Sequence, residues 1–166
     1  MAEKSAFLTC AWGAALQEEA QRLLDRRPGG DVASFSYIAH FTNAPDPGTV
    51  EQRPGYRMDI VNGKVRVRLG IDERERANAM LVMDHDAAHA TLTVRSGPEM
   101  DDLARLAFDQ GKRRLDGSYD AMPLDLSALH DAMLERTSVI IPLGSPPRRN
   151  GEEALHADAD GAVPDA

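Results

Sequence analysis

The stretch GYRMDIVNGKVRVRLG, residues 55–70, constrains the fold more than any other part of the chain. Asn62-Gly63 sits between two alternating runs. This dipeptide accepts the positive φ angles of a type I′ turn, whose twist matches that of paired strands. The pattern therefore predicts a hairpin of Tyr56–Val61 against Lys64–Leu69. In the second arm Val65, Val67 and Leu69 alternate with Lys64, Arg66 and Arg68, so one face of the hairpin is buried and the other meets water.

The remaining segments supply further strands and the helices that cover a sheet. Trp12, Leu16, Ala20, Leu23 and Leu24 repeat at helical spacing. Thr9 precedes them as a candidate N-cap, and Pro28-Gly29-Gly30 stops the helix. The other face of this helix carries Gln17, Glu18, Gln21 and Arg22 and is expected to be solvated. Ala33–Phe41, Asn78–Met83 and Lys112–Gly117 read as strands, the last as a short edge strand. GPEMDDLARLAFDQG reads as a helix with Pro98 and two acids in its first turn and Gly111 after its end. PLDLSALHDAMLERT is a final helix with Leu126, Leu129 and Met133 on its apolar side, and SVIIPL adds an extended piece. The order is that of an α+β domain: a mostly antiparallel sheet with helices on one face, a layering that leaves room for an apolar cavity. Residues 1–143 form the expected domain. From Gly144 onward a polar, aperiodic segment reads as a disordered tail, residues 144–166.

Composition removes several function classes. The net charge of -8 and pI near 5.1 argue against nucleic acid or an anionic membrane surface as partner, since both need a basic face. No apolar run reaches membrane-spanning length, and the N-terminus makes a poor signal peptide, so a cytoplasmic location without stable membrane insertion is expected. The lone cysteine, Cys10, excludes a disulfide framework and a cysteine-based zinc set. Phosphate-loop, dinucleotide-binding and nucleophile-elbow motifs are absent, and no cofactor is expected.

Three places carry titratable groups worth weighing. In DHDAAH, residues 84–89, His85 and His89 share a face if the segment is helical but not the geometry of a small ion site if it is a strand. A helix capped by Asp84 or Asp86 with solvated histidines is the simpler reading, and no metal site is assigned. His40, Asp59 and His130 are the candidates for moving a proton in an apolar pocket, where burial keeps a histidine neutral. Structural roles explain each of them as well. Arg113 and Arg114 have the charge to grip an anion, although an edge strand usually turns such residues to water.

In order along the chain, YRMDIVNGKVRVRLG, ANAMLVMD and GPEMDDLARLAFDQGKRRLDGSYDAMPLDLSALHDAM resemble the central hairpin, the following strand and the C-terminal helix-strand-helix signature of the sterol carrier protein 2-like superfamily. The likeness covers about residues 8 to 137. It departs at the long 42–55 loop, the long 84–111 span and Ser118, where the family often has an acid. The resemblance implies a five-stranded sheet roofed by helices, with an apolar tunnel for lipid-like molecules and no invariant catalytic set. It also implies that Asp86–Arg95 is a helix, with Ala87, Ala88, Thr91 and Leu92 toward the sheet and His85 and His89 toward solvent. Met58, Met80, Leu92, Leu103, Phe108, Met122, Leu126 and Met133 are then the candidate ligand contacts. The expected function is binding or carriage of a hydrophobic, lipid-like small molecule. The alternative is an enzyme using the same cavity for proton transfer, isomerisation or cyclisation.

Overall fold

Asn62 and Gly63 both take positive φ, 51° and 70°, and the hairpin closes around them with Val61 paired to Lys64. The computed structural model describes residues 4–45, 48 and 52–139. Its elements are β1 (Ser5–Ala6), α1 (Cys10–Asp25), β2 (Phe35–Thr42), β3 (Arg53–Val61), β4 (Lys64–Ile71), β5 (Ala79–Asp84), α2 (His85–Leu92), α3 (Pro98–Asp109), β6 (Arg113–Gly117), α4 (Leu126–Arg136) and β7 (Thr137–Val139). Five strands form one sheet in the order β4-β3-β2-β5-β6. Its pairs are antiparallel except β2 with β5, which run parallel at the centre. The fold is therefore the expected α+β layout. A parallel pair of β1 with β7 forms a second, two-stranded sheet, using the start of the expected C-terminal extended piece. The rest of that piece and the expected tail, 144–166, lie outside the described residues.

Helix α1 begins where the sequence places it, with the Thr9 hydroxyl accepting from the Trp12 N–H. It buries Trp12, Ala15, Leu16, Ala20 and Leu24 over β2, β3 and β4. Gly13 allows the close approach: a Cβ there would meet the Leu69 side chain at 3.1 Å. The polar side of α1 corrects the sequence expectation. Gln17 Oε1 accepts from the Val67 N–H and Gln21 Oε1 from the Val65 N–H, both at 2.8 Å, while Gln21 Nε2 donates to the Gly63 carbonyl. These glutamines, one helical turn apart, occupy backbone groups that an edge strand would otherwise offer to another chain.

The segment expected as a helix over Asp86–Arg95 is helical over His85–Leu92, so it starts one residue earlier and stops before Thr93. Asp84 is the N-cap of α2 and accepts from the Asp86 N–H, and a second oxygen takes the Asn43 amide at 2.7 Å. Burial raises the Asp84 carboxyl, but these donors hold it below the ordinary carboxylate value. Ala87, Ala88 and Thr91 are buried as expected, but His85 is not solvated: it is 4% exposed. It occupies the first turn directly after β5, where the chain is still against the sheet, so the helical face begins one residue earlier than the sequence suggests. Among the described residues, no three His, Cys, Asp or Glu side chains gather closely enough to hold a metal ion.

Candidate ligand-binding cavity

Strand alternation gives the sheet two different faces. On the open face, Arg57 bonds Asp59 at 2.9 Å and Glu75 at 3.2 Å, and Arg68 reaches Glu75 at 2.6 Å. On the covered face, α1 fills the half over β3 and β4, where Met58, Ile60 and Val65 are buried. The other half is hollow. A cavity of about 450 Å³ lies between β2, β5 and β6 below and α2, α3 and α4 above, closed on the α1 side by Trp12, Leu16 and Tyr56, and its volume is within the usual range of about 300–1,000 Å³ for sites that hold a small molecule.

Its floor is Tyr37, Ala39 and Phe41 of β2, Leu81 and Met83 of β5 and Arg113 of β6. These positions share one side because of register: Leu81 pairs with Ala39 and Leu115, and Met83 with Phe41 and Arg113. Helices α2, α3 and α4 contribute Leu92, Met100, Ala104, Leu126, Leu129 and Met133, among others. An aromatic row runs along the wall, each ring meeting the next at centroid distances of 4.9–5.9 Å, in the order Tyr119, Tyr37, Tyr56, Trp12, Phe7, Phe41. Most of these contacts are edge-to-face, the arrangement aromatic quadrupoles favour. The Tyr37 hydroxyl is held neutral: burial and the neighbouring tyrosines push its pKa well up. Burial also raises Tyr56 and Tyr119.

Polar contacts hold the pieces of the roof to one another. His130 Nε2 donates to the Val94 carbonyl at 2.7 Å, Ser96 N–H donates to Asp131 at 2.7 Å, and the Ser96 hydroxyl donates to the Ser127 carbonyl. The segment between α2 and α3 is thereby pinned to α4. Trp12 Nε1–H donates to the Thr137 hydroxyl at 3.0 Å and fixes the far end.

Of the candidate ligand contacts, Leu92, Leu126 and Met133 border the cavity. Met58 packs in the filled half under α1. Met80 does not border the cavity: Leu81 and Met83 take the covered face, so alternation turns Met80 to the other. Met122 packs against the core without lining the space, and Leu103 lies outside the lining. Phe108 is 62% exposed: in the last turn of α3 the adjacent Ala107 takes the buried side, which turns Phe108 away from it. Of the proton-transfer candidates, only His130 borders the cavity. Asp59 belongs to the open-face network through Arg57. His40 is half-buried outside the lining, and burial, aided by Arg53, lowers its pKa. The sequence reading missed the tyrosines and Phe7. For Tyr37 the signal is its spacing with Ala39 and Phe41, which puts all three on one side of β2.

Comparison with known proteins finds no matching protein family and no matching curated protein. Among solved structures, the chain is similar to a conserved hypothetical protein of Thermus thermophilus described as possibly a sterol carrier protein. That match has 19% identity and a TM-score of 0.49, and covers 84% of this chain and 97% of the other. It is also similar to a crystal structure of sterol carrier protein 2, at 17% identity and TM-score 0.47, covering 78% and 97% of the two chains. A third match is the Aedes aegypti sterol carrier protein 2 in complex with palmitate, at 18% identity and TM-score 0.36, covering 69% and 97%. No residue role passes from any of them to this chain.

Proposed function

We propose that this protein binds or carries a hydrophobic, lipid-like small molecule in the cavity between its sheet and helices α2 to α4. The observation that carries the proposal is a contrast within one sheet face. Beside β4, under the later turns of α1, the face is filled by Met58, Ile60 and Val65, whereas from the first turns of α1 across to α4 similar apolar side chains surround a space of about 450 Å³. Close packing is the normal state of a protein interior, so a partly open, mostly apolar hollow of this size leaves hydrocarbon and ring surface against water unless something fills it. An apolar occupant supplies the missing contacts, at about 25 cal/mol per Å² of its surface removed from water.

An enzymatic use of the cavity finds less support. His130 is the one candidate on the wall, and its Nε2 is engaged by the Val94 carbonyl, an anchoring contact between α4 and the segment after α2. The described residues of the lining also include Asp101, on the exposed first turn of α3.

The test is binding of Nile red, a neutral apolar fluorophore, to the full chain and to Ala104→Phe. Ala104 lines the cavity from α3, and a phenyl ring there occupies part of the space. The expected result is enhanced fluorescence with the native chain, displaced by an unlabelled long-chain alcohol, and affinity reduced about tenfold or more in the variant. Equal binding by both folded proteins would place the dye elsewhere and contradict the proposal.

A further inference from the structure

The cavity lining is mostly apolar, with Thr91, Ser127, His130 and Thr137 among its polar side chains and Asp101 and Arg113 as its charged ones. Among the described residues that line it, Arg113 is the one arginine or lysine. Its neighbour in sequence behaves as an edge-strand arginine should: Arg114 points the other way and meets Asp116 at 2.9 Å. Arg113 is paired with Met83 across the sheet and so shares its cavity-facing side. The remaining arginines in ion pairs, including Arg53, Arg57, Arg68 and Arg136, each have a carboxylate within 4.0 Å. Arg113 has none among the described residues, and its Nε is buried without a hydrogen-bond partner. Arg136 shares the unpartnered Nε but sets its Nη1 between Glu18 and Glu19. A guanidinium is always charged and offers a fork of donors that matches a carboxylate or phosphate. Left without an acceptor in a partly buried site, such a group costs stability, and native proteins rarely keep one without a use.

The surroundings define the shape of what would complete it. Tyr119, close enough for the Arg113 charge to act on its hydroxyl, starts the aromatic row that leads through Tyr37 and Tyr56 to Trp12 and Phe7. Strand register sets Arg113 level with Met83 and Phe41, so its charge stands among rings and hydrocarbon. Resting on the binding function proposed above, we infer that Arg113 anchors an anionic oxygen head group, such as a carboxylate, of an amphiphile whose apolar tail lies among the aromatic and aliphatic side chains of the lining. Arg113 is then the specificity-determining residue of the cavity. Asp101, exposed on the first turn of α3 and more than 4.0 Å from Arg113, adds opposing charge at the rim, and Asp101→Asn is expected to strengthen carboxylate binding by less than about threefold.

The experiment compares dodecanoate with dodecanol, two probes with the same tail, on the full chain above pH 7. Trp12, the single tryptophan, borders the cavity and reports occupancy by its emission. The native chain is expected to bind dodecanoate about tenfold or more tightly than dodecanol, the range of a charge-assisted hydrogen bond. Arg113→Met, which keeps the length of the side chain without its charge, is expected to lose that preference while keeping dodecanol affinity within about threefold. Arg113→Lys keeps the charge without the fork and should retain part of the preference. A native ratio within about twofold of unity overturns the anchor whether or not a variant folds, and so does an unchanged ratio in folded Arg113→Met. Dodecanol binding without a carboxylate preference overturns the anchor alone. Binding of neither probe overturns both the anchor and the proposed function.

Discussion

The two halves of the covered sheet face use the same kinds of residue and reach opposite packing. Over β3 and β4, α1 lies close because Gly13 clears the Leu69 side chain, and its glutamines hold it to the β4 edge. Met58, Ile60, Val65 and Leu24 fill what remains. Over β2, β5 and β6, the roof is held by contacts between its own segments, His130 with Val94 and Ser96 with Asp131, and by Trp12 with Thr137. Aromatic rings and an unpaired arginine face the gap between. Apolar sequence alone therefore does not decide between a core and a pocket. The two helices differ in what they are bonded to: α1 bonds the strand edge beside it, whereas α4 bonds the segment after α2.

The largest effect expected from this contrast is on the filled half. Ile60→Ala should lower unfolding free energy by about 2–5 kcal/mol in urea denaturation, because Ile60 is 1% exposed and leaves a true hole, and should leave Nile red binding nearly unchanged. If the loss is small, the filled half is not close-packed and the contrast fails. Next comes the helix clamp. Gln21→Ala leaves the Val65 N–H and the Gly63 carbonyl without that partner, and should cost about 1–2 kcal/mol while increasing self-association through the β4 edge, measured by light scattering. On the hollow half, Leu92→Ala should cost about 1 kcal/mol or less, since Leu92 borders an existing void, and should change Nile red affinity instead. A stability loss matching that of Ile60→Ala would mean that both halves are equally packed.

A pH series gives the smallest effect and sharpens the account of His85. Burial holds the His85 pKa below the ordinary histidine value, outweighing the attraction of Asp86 and Asp84, and His89 pushes the same way as burial. The unfolded chain thus takes up a proton before the folded one. The contribution is fully present above the ordinary histidine pKa, about 6.5, and is lost as pH falls through the lower folded value. His40, also lowered by burial, adds in the same direction, while the carboxyls of Glu19, Glu75 and Asp84, held low by their donors, act only at more acid pH. Urea midpoints measured between pH 8 and pH 5 should fall on acidification. In His85→Gln the fall should be shallower; an unchanged slope would show that His85 takes no part.

Much of the fold was readable because its signals are local. Asn62-Gly63 demands its turn, Thr9 caps α1, and Val65, Val67 and Leu69 alternate with charges along β4. The cavity was less readable because its walls depend on parity and on distance between elements. KRRLDG gives no internal sign of which arginine faces inward; the pairing of Met83 with Arg113 settles that. One residue of register moved Met80 to the far face and brought Leu81 into the cavity. His85 was misplaced for a similar reason, as α2 starts directly on the end of β5. The roles of Gln17 and Gln21 were hidden because a glutamine on a polar helix face looks the same whether it meets water or a strand edge.

The most direct measurement of the central claim is native mass spectrometry of the full chain after gentle purification, beside Ala104→Phe. The account predicts added mass from an apolar molecule on the native chain, released on denaturation and reduced or absent in the variant. A native chain that carries no such mass and takes up none when incubated with dodecanoate or dodecanol would contradict it.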